Sequence, residues 1–102
     1  MNTTVTWLSY EFTVYPHGST WNAVGGVYIF AGITPQNQWR AYYIGQAESF
    51  QERILDHERW AEAARLGATH VHARAVPQAA TRASIEAELI QRFQPPLNSQ
   101  LR

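Results

Sequence analysis

Two short β-rich segments lie next to each other in the middle of the sequence and constrain its fold most. GGVYIFAG runs from Gly25 to Gly32, WRAYYIG runs from Trp39 to Gly45, and the turn-rich residues ITPQNQ separate them. Glycine-bounded runs of β-branched and aromatic residues are typical of strands, and a short polar connection joins antiparallel neighbours. The sequence therefore predicts a β-hairpin over residues 25–45.

Helical and extended patterns alternate after this hairpin. A helical period begins near Ser49 and ends at Gly67, with a bend expected at His57. Residues 70–76, HVHARAV, predict a third strand, and residues 78–93, rich in alanine, glutamate and leucine, predict a last helix. The predicted class is α+β, with a small, three-stranded antiparallel sheet flanked by helices.

The N-terminal residues precede this core. Tyr10, Phe12 and Val14 alternate with polar residues and predict an extra N-terminal edge strand. We expect residues 1–24 to be an extension packed on a domain formed by residues 25–102. A chain of 102 residues leaves no room for a second functional module, so one site is expected.

Composition narrows the classes of site and partner. The formal net charge is zero, which predicts weak binding to nucleic acid. All eight basic side chains are arginines, however, and a guanidinium can donate two hydrogen bonds to phosphate oxygens. The sequence has no cysteine, so a bound metal has only nitrogen and oxygen ligands, which favours Mg²⁺ or Mn²⁺ over structural Zn²⁺. With no long apolar run and no signal-peptide pattern, we expect a cytoplasmic protein without a membrane partner.

Glu86 is the residue of the last predicted helix that most needs an explanation. Its neighbours at helical spacing are apolar, namely Ala79, Ala83, Ile90 and Phe93, whereas Glu88 shares its face with polar residues. A carboxylate in an apolar stripe is unfavourable unless a cation or hydrogen-bond donors compensate it. Periodicity leaves two interpretations open, a metal ligand or an ordinary surface pair with Arg82.

Four sequence elements together resemble GIY-YIG nucleases. GGVYIF followed by YYIGQAESFQERI has the spacing of their signature, and IEAELIQRFQPPLN is similar to their last helix and its exit. The matching positions run from Gly25 to Asn98, over most of the chain. They are Gly26, Val27 and Tyr28 in the first tripeptide, Tyr43, Ile44 and Gly45 in the second, then Arg53, Glu86 and Asn98.

The resemblance implies that two tyrosines, an arginine and a glutamate converge on one surface. It makes Glu86 the ligand of Mg²⁺ or Mn²⁺ and Arg53 the donor to charge developing on the phosphate. It further implies that Tyr28 orients or deprotonates the attacking water and that Tyr43 binds phosphate or water. Gly45, Arg53 and Asn98 are the implied substrate contacts.

Several of these residues have plainer interpretations. The two tyrosines are also compatible with strand residues whose hydroxyls lie at the rim of a core. His57, one helical turn after Arg53, is a further catalytic candidate or a helix-terminal side chain in water. His70 and His72 lie on one face of the third strand, where two histidines without another ligand more often form a polar face.

The functional prediction is an endonuclease that hydrolyses phosphodiester bonds in DNA with a divalent metal ion. RNA is an alternative substrate, since the proposed site contacts phosphate and has no evident base-specific element. The alternative is a catalytically silent nucleic-acid-binding or protein-interaction domain with the same fold. We expect a monomer or a weak homodimer.

Overall fold

A five-stranded antiparallel sheet and three helices form the part of the chain that the computed structural model describes, residues 3–98. The strands are β1 (Thr4–Trp7), β2 (Tyr10–Pro16), β3 (Gly26–Ile33), β4 (Trp39–Ala47) and β5 (His70–Ala75), and the helices are α1 (Phe50–Arg53), α2 (Trp60–Leu66) and α3 (Ala79–Phe93). The strand order is β1-β2-β5-β3-β4. The α+β class is confirmed, but the sheet has five strands rather than the predicted three.

The N-terminal residues contribute two strands instead of one edge strand. β2 pairs with β5 on one side and with β1 on the other, so the predicted edge strand lies inside the sheet and β1 forms the edge. The tight connection between β1 and β2 places Leu8 at a φ of 58°. Such a turn usually contains glycine or asparagine, and their absence hid the hairpin in the sequence.

Side chains of β3 alternate between two cores on opposite faces of the sheet. Tyr28 and Phe30 pack in the core that also contains residues of α1 and α2, whereas Val27 and Ile29 pack in the core under α3. All four are buried. The near-continuous apolar run of β3 therefore reflects a strand covered on both faces.

The helical region after β4 is broken where the sequence predicts a bend. α1 is a single turn, α2 begins at Trp60, and His57 lies in the connection between them. Gly67 follows α2 with a φ of 132°, a backbone conformation that favours glycine. α3 matches the predicted helix of residues 78–93 closely. Within residues 3–98, no helix has the length and apolar character needed to cross a membrane.

His72 occupies an interior position that the sequence did not predict. Its side chain is fully buried, and its Nδ1 accepts a hydrogen bond from the indole N–H of Trp7 at 2.9 Å. The ring of Trp39 lies edge-on to it, at a centroid distance of 4.4 Å. The expected polar face of β5 is therefore wrong at this residue, because aromatic side chains of β1 and β4 cover it.

Burial of His72 and His57 should make folding sensitive to mild acid. Burial lowers the pKa of each imidazole from 6.5 to about 4, so the unfolded chain binds more protons between these values. The free energy of unfolding should be fully maintained above pH 6.5 and fall as the pH decreases towards 4. The limiting slope is about 1.4 kcal/mol per pH unit for each histidine.

The variant His72→Gln should reduce this slope by about half, because it removes one of the two titrating groups and keeps an acceptor for Trp7. Urea unfolding at a series of pH values measures it. Identical pH profiles for the parent and His72→Gln would show that His72 does not titrate as its burial requires.

Candidate active site

Tyr28 and Gly45 face each other across β3 and β4, and their contact fixes where the Tyr28 hydroxyl lies. The two residues are register partners in the sheet. A Cβ atom on Gly45 would stand 2.5 Å from the hydroxyl oxygen of Tyr28 and 2.6 Å from the ring carbon that bears it. Only glycine leaves room for the phenol here. Because β4 is the last strand of the sheet, the hydroxyl lies beside the sheet edge.

The hydroxyl of Tyr28 forms a short hydrogen bond with Nε2 of His57, at 2.7 Å. His57 is only 5% exposed, and its imidazole makes edge contacts with the rings of Tyr28, Phe30 and Tyr43. The interpretation of His57 as a helix-terminal side chain in water is therefore wrong. The bend between α1 and α2 turns it into the core instead.

The tautomer of His57 follows from its second ring nitrogen. The backbone N–H of Arg59 donates to Nδ1 at 3.0 Å, so Nδ1 presents its lone pair. The carboxylate of Glu58 is 3.5 Å from the same nitrogen, too far for a competing hydrogen bond. The neutral imidazole therefore carries its proton on Nε2 and donates it to the oxygen of Tyr28.

Charged side chains among the predicted residues shift the ionisation of both tyrosines and of His57. Burial raises the pKa of Tyr28 and of Tyr43, the nearby guanidinium of Arg53 lowers both, and the carboxylate of Glu86 raises both. Burial also lowers the pKa of His57 to about 4, and Arg53 adds to that shift. At neutral pH the imidazole and both phenols are uncharged. The structure thus brings Tyr28, Tyr43, Arg53 and His57 together on one face of the sheet, whereas Glu86 lies on the α3 side, next to Gln46 of the edge strand β4.

Arg53 is held in a bidentate ion pair with Glu58. Its two terminal nitrogens donate to the two carboxylate oxygens at 2.8 Å and 2.9 Å, and this hydrogen bonding lowers the pKa of Glu58 to about 2. The Arg53 side chain is 40% exposed and that of Glu58 is 63% exposed. A phosphate has the same two-oxygen geometry as the carboxylate, so it can replace Glu58 on the guanidinium.

Glu86 lies on α3 beside the buried stripe of that helix rather than within it. The stripe consists of Arg82, Ile85 and Leu89, and the predicted neighbours Ala79 and Ala83 are exposed. The predicted stripe was therefore wrong by about one position around the helix. Glu86 is nevertheless half-buried, and this burial raises its pKa.

The partner of Glu86 is Gln46 on β4 rather than Arg82. The amide of Gln46 donates to Oε1 of Glu86 at 3.0 Å. The guanidinium of Arg82 donates instead to the backbone carbonyls of Val76 and Pro77. The surface pair between Arg82 and Glu86 is not formed, which leaves Glu86 with a neutral partner and a charge that a cation could offset.

The donor set around Glu86 suits a weakly coordinated hard cation. Among residues 3–98, no three histidine, aspartate or glutamate side chains gather into a metal-binding group. Mg²⁺ does not need one, because it retains several waters and commonly binds one or two carboxylates together with substrate phosphates. A single desolvated carboxylate, oriented by an amide, fits such an ion and does not fit a structural Zn²⁺ site.

Asn98 lies against the edge of β4 that does not pair with β3. Its Oδ1 accepts from the backbone N–H of Ile44, and its Nδ2 donates to the carbonyl of the same residue, both at 2.8 Å. The backbone N–H of Leu97 donates to the carbonyl of Tyr42. The chain after α3 thus pairs with an edge strand and fixes the backbone next to Tyr43. The implied substrate contacts of Asn98 and Gly45 stay predictions.

The resemblance to GIY-YIG nucleases rests on motif residues spread between Gly25 and Asn98. No family model, curated protein or solved structure matches the chain. Membership of that family therefore stays a prediction, and a functional assignment depends on the chemistry of the side chains themselves.

The sequence did not lead us to predict two residues of the site, Gln46 and Glu58. Gln46 directly follows Gly45, and the alternation of a strand places it on the opposite face, towards α3, so a strand pattern could have found it. Glu58 could not be found this way. In a continuous helix, residues 53 and 58 point about 140° apart, and only the break after α1 brings Arg53 and Glu58 together.

Proposed function

We propose that this protein is a metal-dependent endonuclease that hydrolyses phosphodiester bonds in DNA. The observation that carries the proposal is the hydrogen bond between Tyr28 and His57 beside Arg53, with Glu86 on the α3 side of the same edge strand. A water-orienting hydroxyl, a cation for phosphate and a carboxylate for a metal ion are the groups that phosphodiester hydrolysis needs. The cytoplasmic location expected from the sequence is part of this proposal.

In this proposal Tyr28, whose side chain is buried in the free protein, orients the attacking water when substrate binds, and His57 positions Tyr28. Both ring nitrogens of His57 are already engaged, one by the N–H of Arg59 and one by Tyr28, so the imidazole does not take a proton from water directly. Donation from its Nε2–H favours negative charge on the phenol oxygen, as does Arg53, and both oppose the effect of burial. Because burial raises the pKa of Tyr28 and keeps its phenol uncharged at neutral pH, Tyr28 orients the attacking water in this proposal.

Arg53 and Tyr43 bind the phosphate. Arg53 exchanges Glu58 for two phosphate oxygens, and its charge opposes the negative charge that develops in the transition state. Tyr43 is half-buried with its ring 6.3 Å from that of Tyr28, so its hydroxyl can donate to phosphate or water. Asn98 holds the strand that carries Tyr43.

Glu86 would hold the metal ion, with Gln46 fixing the orientation of its carboxylate. When bound, Mg²⁺ or Mn²⁺ supplies Lewis-acid stabilisation of the phosphate and of the leaving oxygen. The carboxylate of Glu86, whose pKa is raised by burial, would be compensated by such a cation. This carboxylate, unlike that of Glu58, is not occupied by an arginine.

One observation favours the alternative, a catalytically silent nucleic-acid-binding or protein-interaction domain. The guanidinium of Arg53 is already satisfied by both oxygens of Glu58. If this pair persists with a substrate present, Arg53 has no role in catalysis. The two functions differ in whether DNA is cut or only bound.

Incubation of the purified chain with supercoiled plasmid distinguishes them. We expect nicked circles with Mg²⁺ or Mn²⁺ and none with a chelator. Retardation of the plasmid without nicking, in the presence of either metal, would support the silent domain. The zero net charge predicts weak binding with a shallow salt dependence, so the assay belongs at low ionic strength.

A further inference from the structure

We propose that a pocket between β2, β5 and α1 binds an unpaired nucleobase of the DNA substrate. This inference rests on the proposed function and adds a substrate class to it, DNA with an unpaired nucleotide near the cleaved bond. The pocket has a volume of about 490 Å³, within the range of small-molecule sites. Most of its wall comes from residues 11–24, outside the segment that resembles GIY-YIG nucleases.

The pocket lies on the same face of the sheet as Tyr28. Thr13 of β2 pairs with Ala73 of β5, and Ala73 pairs with Tyr28 of β3, so the three side chains point to one face. With about 4.8 Å between neighbouring strands, the pocket is on the order of 10–15 Å from Gly45. A strand of DNA bound at Arg53 can reach it within a few nucleotides.

Aromatic rings form one side of the pocket. Trp21 makes edge contacts with Tyr15 at 4.8 Å and with Phe50 at 5.7 Å between ring centroids, and all three residues line the space. Phe50 in turn contacts the ring of Tyr28. Trp21 and Phe50 are buried and Tyr15 is half-buried, so Tyr15 offers the ring for stacking, the usual way in which proteins hold single nucleobases.

The floor of the pocket is open because two small residues occupy β5. Ala73 and Ala75 are both on the face towards the pocket, where larger side chains would fill it. Thr13, Thr20 and Asn22 add uncharged groups that both donate and accept hydrogen bonds. This lining suits the mixed donors and acceptors of a base edge.

Two N–H groups in the wall have no acceptor among residues 3–98. They are Nε1 of Trp21, a residue only 6% exposed, and Nε of Arg74. A buried donor without a partner is unfavourable, and both atoms are closed to solvent, so a ring nitrogen or carbonyl oxygen of a base gains these hydrogen bonds when the side chains turn towards the pocket. Nucleobases carry both kinds of acceptor on their edges.

The charges of the lining argue for a base rather than a phosphate in the pocket. Among residues 3–98, Glu11 and Arg74 are the only charged residues that line it, and a terminal nitrogen of Arg74 already donates to the backbone carbonyl of Glu11. They leave no net positive charge to attract an anion. The phosphates of a bound strand would instead lie towards Arg53, and the neutral base would enter the pocket.

Binding of forked and fully paired DNA in a chelator tests the inference without cleavage. The fork carries 2-aminopurine in its unpaired arm, and the matched duplex carries it in a base pair. We expect the parent protein to bind the fork about tenfold more tightly, the size of effect expected for one stacked base, with a change in 2-aminopurine fluorescence. Equal affinity for fork and duplex would overturn the proposal.

Ala75→Leu should abolish the preference for forked over fully paired DNA, because the added carbons fill the pocket from an exposed position. The control Ala87→Leu, an equal change on the exposed side of α3, should retain it. A second variant, Trp21→Phe, keeps a ring and removes the unpartnered N–H, so it should weaken the preference for the fork, and its melting temperature is measured to confirm folding because Trp21 is a core residue. Unchanged preference in both Ala75→Leu and Trp21→Phe would contradict the pocket.

Plasmid nicking with Mg²⁺, measured on the same preparations, separates the two proposals. Nicking without a preference for forks means that the pocket assignment is wrong and the nuclease assignment stands. A preference for forks without nicking means the reverse, a nucleobase pocket on a silent domain.

Discussion

Glu86→Gln should abolish metal-dependent nicking, whereas Glu88→Gln should leave it within about twofold. Glutamine keeps the shape of the side chain but removes the negative charge on which Mg²⁺ depends. Glu88 is an exposed residue of the same helix that accepts a hydrogen bond from Tyr10, and the two side chains point about 200° apart around the axis. Nicking rates against Mg²⁺ concentration measure the difference.

Stability should change in the opposite direction to activity in Glu86→Gln. The pKa of Glu86 is raised by burial, so the contribution of Glu86 to the free energy of unfolding is greatest below its unfolded pKa and is lost as the pH rises through the folded value. At neutral pH without metal, glutamine removes this penalty and still pairs with Gln46. We therefore expect an unchanged or higher melting temperature. A lower melting temperature with intact nicking would give Glu86 a structural role only.

Arg53→Ala should reduce the nicking rate by about a hundredfold or more and change DNA binding much less. A well-placed cation opposes charge that develops mainly in the transition state, and the loss of one such donor commonly has this effect. The change should destabilise the fold by at most about 1 kcal/mol, because the ion pair with Glu58 is largely exposed.

Arg65→Ala is the matched control, since Arg65 is exposed in the last turn of α2. It removes the same charge from the protein and should leave the nicking rate nearly unchanged. Single-turnover rates at saturating DNA separate chemistry from binding for both variants. Equal losses of rate in Arg53→Ala and Arg65→Ala would mean that net charge matters and that Arg53 has no catalytic position.

Strong local patterns predicted most of the central fold. The β-rich runs of β3 and β4, the third strand β5 and the alanine-rich helix α3 formed where expected, because period and composition agree there. β1 was missed since four residues are too few for a period, and its turn at Leu8 lacks the usual residues. The number of strands therefore depended on tertiary pairing that the sequence does not display.

The candidate site was predictable in its members but less so in their contacts. The resemblance to GIY-YIG nucleases pointed to residues 28 and 45, and a carboxylate predicted within an apolar stripe pointed to Glu86. The partners were set by the fold: the bend after α1 buries His57 and gives Arg53 its pair with Glu58. Long-range hydrogen bonds such as that from Gln46 to Glu86 join residues 40 positions apart and follow no local pattern.

The central claim is that the Tyr28 hydroxyl acts on DNA. The variant Tyr28→Phe tests this claim most directly. Its control is Tyr42→Phe, which removes the same group from a neighbouring buried tyrosine. Both variants and the parent are purified side by side and assayed on one supercoiled plasmid with Mg²⁺. Tyr28→Phe leaves the Nε2–H of His57 without its acceptor, so melting temperatures are needed to confirm folding. We predict that folded Tyr28→Phe loses nicking by about a hundredfold while Tyr42→Phe retains it. Equal nicking by the parent, Tyr28→Phe and Tyr42→Phe would contradict the account.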